Sequence, residues 1–72
     1  MEKEIRIRDE FIRLGQAMKL AGFAQTGIEA KIMITSGDVR VNGETELRRG
    51  RKLRDGDTVE TAEGTFTVRA GA

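Results

Sequence analysis

Seventy-two residues allow one domain, and a chain of that size hides only about 60% of the surface it exposes when unfolded, so its core must be small. With 38% apolar and 35% charged residues, no proline and a formal net charge of +1, the composition excludes a disordered tail and fits a compact soluble domain. The absence of cysteine, histidine and tyrosine removes disulfides, thiolate metal sites and most acid–base catalysis at once.

The chain opens with "EIRIR", Glu4 to Arg8, whose period of two predicts a short strand with Ile5 and Ile7 facing inward. This alternation is not an apolar export segment, and the longest aliphatic run is "IMI", so neither a leader nor a membrane span is expected and the default location is cytoplasmic. The period then changes: Phe11, Leu14, Met18 and Ala21 recur at intervals of three and four, with Arg13, Gln16 and Lys19 off the stripe. That spacing predicts an amphipathic helix capped by Asp9 and stopped by Gly22.

"TGIE", Thr26 to Glu29, has the form of a capping box and predicts a second helix, with Ala30, Met33 and Ile34 inward and Lys31 outward, ending at Ser36-Gly37. Two short helices joined by Gly22 to Gln25 make an αα-hairpin. Next, "VRVNGETEL" predicts a β-hairpin around Asn42-Gly43 with Val39 and Val41 in the core. "TVETAEGTFTVRA" predicts another across Glu63-Gly64, with Val59, Phe66 and Val68 buried. Between the hairpins lies a loop, "RRGRKLRDGD", with one short strand near Leu53.

That loop carries the chemistry. Arg48, Arg49, Arg51, Lys52 and Arg54 hold five of the thirteen basic groups, and like charges so crowded gain little without a polyanion. Arginine outnumbers lysine four to one there, and a planar guanidinium meets two phosphate oxygens at once, so the expected ligand is a nucleic-acid backbone. An enzyme is not expected: the one serine, Ser36, falls at a helix end, and Asp55 and Asp57 of "DGD" read as turn residues rather than as a hard-cation site, so no metal or cofactor is implied. With Phe11 and Phe66 at core positions, and Phe23 either a core plug or an exposed contact, aromatic stacking platforms are scarce. Folded RNA recognised by shape and phosphate position fits better than base-by-base reading.

The order of "FIRLGQAMKLAGFAQTGIEAKIMITSGDVRVNGE" and then "RRGRKLRDGDTVE" resembles the RNA-binding domain named after small-subunit ribosomal protein S-four, the alpha-L motif. The match covers about residues 11–60, and "MKLAG", "TGIEAK" and "RRGRKL" look like the small free-standing bacterial YaaA/YbcJ-type proteins. The resemblance implies an α+β alpha-L fold, a two-helix hairpin packed against a small, mostly antiparallel sheet, as a single domain over residues 1–72. It also implies binding of structured RNA of the ribosomal or transfer class, without catalysis, by a monomer. In the wider family the second helix commonly opens with Ser-Arg; Thr26-Gly27 keeps the cap and lacks the charge, which shifts weight to Lys31 and the loop. Carried over as RNA contacts are Lys19, Lys31 and Arg40, together with Arg48, Arg49, Arg51, Lys52 and Arg54.

Two other classes compete. A protein-interaction module could offer the same basic loop to an acidic partner, and competition by RNA would separate the two. Small β-grasp sulfur carriers share an "NGE" hairpin and a later "DGD-VE" turn, but they need a terminal Gly-Gly, whereas this sequence ends Ala70-Gly71-Ala72 and sets both helices before the hairpins.

Overall fold

The computed structural model describes residues 2–71. Its elements run β1 (Glu2–Ile7), β2 (Ile12–Arg13), α1 (Leu14–Leu20), α2 (Gly27–Thr35), β3 (Arg40–Val41), β4 (Glu44–Thr45), β5 (Lys52–Leu53), β6 (Thr58–Thr61) and β7 (Gly64–Ala70). A five-stranded sheet has the order β1-β7-β6-β3-β4, and β2 pairs with β5 in a separate two-stranded ladder. Only β1 and β7 run parallel, so the sheet is mostly antiparallel, as the resemblance implies.

The alternating start of the chain becomes the edge strand β1, with Ile5 opposite Val68 of β7 and both buried. The first helix is shorter than its apolar stripe. Ile12 and Arg13 leave it to pair with Leu53 and Lys52, so α1 begins at Leu14. Asp9 caps nothing there: Arg13 occupies the N-cap position without a side-chain cap. Backbone carbonyls of the basic loop do that work, Arg51 accepting from the Leu14 N–H at 2.8 Å and Arg49 from Gly15 at 3.0 Å. At its other end Gly22, at φ +83°, closes a Schellman turn: Phe23 N–H donates to Met18 and Gly22 N–H to Lys19.

α2 starts as predicted, with Thr26 Oγ1 accepting from the Glu29 amide at 3.0 Å. The reciprocal half of the box shifts by one residue, because Glu29 Oε1 accepts from the Gln25 amide at 2.9 Å rather than from Thr26. The buried faces of the two helices, Leu14, Ala17 and Met18 with Ala30 and Ile34, share one core with Val39, Val41, Val59, Phe66 and Val68 of the sheet. Phe23 packs edge-on against Phe66 with ring centres 5.4 Å apart, so it is a core plug. Lys3 Nζ donates to the Ala21 carbonyl at 2.7 Å and ties β1 to the end of α1.

The Asn42-Gly43 hairpin forms with both residues at positive φ, +53° and +87°. The last hairpin turns over Ala62-Glu63, one residue earlier than read, because Thr61 pairs with Gly64. Asn42 also fastens this region to "DGD": its amide donates to Asp57 Oδ1 and its oxygen accepts from the Thr58 N–H, both at 3.0 Å. Asp57 Oδ2 accepts from the Arg54 N–H at 2.7 Å and closes the turn, while Asp55 Oδ1 accepts from the Ala70 N–H at 2.9 Å and ties the turn to the end of β7, so both carboxylates hold backbone. No helix among the described residues is long and apolar enough to cross a membrane.

Candidate nucleic-acid interface

The basic loop lies over the start of α1. The β2–β5 ladder fixes one side, the two loop carbonyls on Leu14 and Gly15 fix the other, and Arg13 Nη1 donates to the Gly50 carbonyl at 2.9 Å. Gly15 makes this approach possible, since a Cβ there would sit 2.8 Å from Arg49 Cγ. Between helix pair and loop runs a groove of about 340 Å³, lined by Arg13, Gly15, Gln16, Lys19, Gly27, Arg49 and Gly50. Three cations line it and no carboxylate does, while its three glycines leave the floor without side chains. A concave site of one sign focuses potential on an anion.

A second feature holds the loop from below. Glu46 is buried, and its carboxylate accepts from Arg48 Nε and the Arg48 amide through Oε2 and from Arg51 Nη1 through Oε1, each at 3.0 Å. The Arg48 side-chain hydrogen bond, joined by its amide and by Arg51, outweighs the burial penalty and lowers the Glu46 pKa from 4.5 to about 2. The same contact raises the Arg48 pKa above its ordinary value. Two of the five loop cations are therefore turned onto one acid, and the three groups together carry a net charge of +1.

Phe11 departs furthest from its sequence reading. It is half-buried outside the helix rather than in the core. Three cations surround its ring: Lys52 Nζ 4.7 Å from the centre, and the Arg13 and Arg54 guanidinium carbons each at 5.7 Å. Arg13 thus belongs both to this cluster and to the groove.

Of the eight residues read as contacts, the fold brings Lys19 and Arg49 into the groove and Lys52 and Arg54 beside it around Phe11. Arg48 and Arg51 face Glu46. Lys31 is exposed one turn beyond Gly27 on α2 and does not line the groove. Arg40 lies in a separate depression with Asp38 and Glu60, an environment of mixed sign. Sequence reasoning missed Arg13 and Gln16 as lining residues and Glu46 as the loop's anchor. No local signal marks Arg13, whose hydrogen bond to Gly50 spans 37 residues.

The family described as "S4 domain" matches residues 5–69. The chain is 48% identical over 69 residues to the "Probable ribosome maturation protein RlbA" of Bacillus subtilis (strain 168), covering 94% of this chain and 97% of that protein. It is 39% identical over 57 residues to the "Putative RNA-binding protein YbcJ" of Escherichia coli (strain K12), covering 79% and 81% of the two. With two helices, a mixed sheet and a matched span that takes in both the helix pair and the loop, the chain belongs to the S4 domain family.

Proposed function

We propose that this chain binds structured RNA of the ribosomal or transfer class, as a monomer in the cytoplasm and without catalysis of its own. The RNA backbone lies along the surface made by the helix pair and the basic loop, with Arg13, Lys19 and Arg49 in the groove and Lys52 and Arg54 beside it. The observation that carries this reading is the gathering of these five cations on one surface, none of them in an ion pair with a carboxylate among the described residues. Arginine forks suit phosphate oxygens, and a rigid surface reads the spacing of phosphates rather than the identity of bases. The charge that an arginine after Thr26 would bring comes here from Arg13, Lys19 and Arg49 around Gly27. The printed names of the two relatives, ribosome maturation and RNA binding, support an RNA ligand and favour a ribosomal one.

The test is binding of the purified protein to folded ribosomal RNA across a salt series, with transfer RNA and an acidic polypeptide as competitors. Five neutralised phosphates give a log–log salt slope near −4, or about two decades of affinity between roughly 50 and 200 mM salt. A flat salt response overturns the reading, and displacement by the acidic polypeptide but not by RNA favours a protein partner.

A further inference from the structure

The proposed function uses the cations of the loop surface but not the aromatic ring set among them. Phe11 is half-buried, yet it is absent from the apolar side chains that form the core or pack against it, unlike Phe23 and Phe66. Charge surrounds it instead, with Lys52, Arg13 and Arg54 all within 5.7 Å of the ring centre. None of the three is paired with a carboxylate among the described residues. A phenylalanine with no core to fill and three unpaired cations over its ring has the make-up of a nucleobase platform, the ring offering a face to a base once the cations over it turn to the phosphates on either side.

We infer that Phe11 stacks against a single unpaired base of the bound RNA while Lys52, Arg54 and Arg13 hold the phosphates flanking it. The inference rests on the RNA-binding reading and adds a feature that backbone docking alone does not need. Lys52, nearest the ring, is a point charge on a flexible stem, so its ammonium can leave the ring for a phosphate when the base arrives. Arg13, held by the Gly50 carbonyl, joins the platform to the groove, so one strand can run continuously from one to the other. Folded RNA displays such bases at bulges and loops. Because every base has a π face, the platform selects unpaired over paired nucleotides rather than one base over another.

Two RNA hairpins of equal nucleotide number test this, one fully paired and one carrying a single 2-aminopurine bulge, against wild type, Phe11→Leu and Phe11→Trp. Stacking of one base carries about fivefold to 150-fold in affinity. Wild type is expected to bind the bulged hairpin at least about fivefold tighter and to change its fluorescence as the 2-aminopurine leaves its neighbouring bases for the ring. Phe11→Leu, which keeps apolar bulk beneath the cation stems, is expected to lose both the preference and the fluorescence change. It keeps its affinity for the paired hairpin and the salt dependence of that affinity. Phe11→Trp retains all of these. If Phe11→Leu weakens both hairpins equally, the ring only seats the cations and the inference fails, as it does if wild type binds the two hairpins alike. If wild type binds neither at low salt, the RNA-binding reading itself has failed.

Discussion

Replacing Glu46 with glutamine keeps the shape of the side chain beneath the loop and removes its charge. Wild-type Glu46 binds Arg48 and Arg51 through four hydrogen bonds of 3.0 to 3.3 Å. A carboxyl lowered from 4.5 to about 2 gains at most about 3 kcal/mol, at about 1.4 kcal/mol for each tenfold change in proton affinity. The Arg48 guanidinium lies mostly in water, which screens the pair, so the expected loss at pH 7 is about 1–2 kcal/mol. Urea denaturation reads this as a midpoint lowered by about 1–2 M for a small domain. The folded-state pKa is depressed, so the stabilisation is complete above pH 4.5 and fades as pH falls towards 2. The gap between wild type and Glu46→Gln therefore shrinks by more than half between pH 7 and pH 3. The same substitution raises the net charge of the three groups by one, so the RNA salt slope steepens by about one. A gap unchanged from pH 7 to pH 3, or no loss of stability, refutes the role given to Glu46.

Gly15→Ala forces Arg49 aside, since the new Cβ would lie 2.8 Å from Arg49 Cγ. RNA affinity should fall several-fold while the melting temperature stays within a few degrees, because alanine's helix preference, about 1 kcal/mol over glycine, offsets the local strain. Asn42→Gly keeps the φ of +53° accessible but loses the side-chain bonds to Asp57 and Thr58, and should cost about 1–2 kcal/mol in chemical denaturation. Asn42→Ala adds strain at that positive φ and should cost more. Leu53→Ala removes a fully buried side chain of β5 and should cost about 2–5 kcal/mol by the same assay.

What the sequence revealed and what it hid divide along contact range. Met18, Val41, Phe66 and Val68 are buried as read because a side-chain period of 3.6 or two is written in neighbouring residues. Gly22, Gly37 and Asn42-Gly43 fall at positive φ as turn chemistry requires. Phe11, Asp9 and Glu46 were misread or passed over because distant partners decide their surroundings. Ile12 and Arg13 pair as a strand with Leu53 and Lys52 instead of opening the helix, and that pairing also carries Phe11 out of the core and next to Lys52. The basic loop stood out as a charge run, but which of its cations are free depended on Glu46, whose burial no local pattern announces.

The central claim is that one surface, groove plus Phe11 cluster, neutralises the RNA backbone. Its most direct test is the salt slope of RNA binding for Lys19→Ala, Arg49→Ala, Lys52→Ala and Arg54→Ala, each measured beside Arg40→Ala. Each of the first four should make the slope shallower by about one, while Arg40, set in a depression with Asp38 and Glu60, should leave it unchanged. Equal slopes for all five variants, or a loss confined to Arg40→Ala, would contradict it.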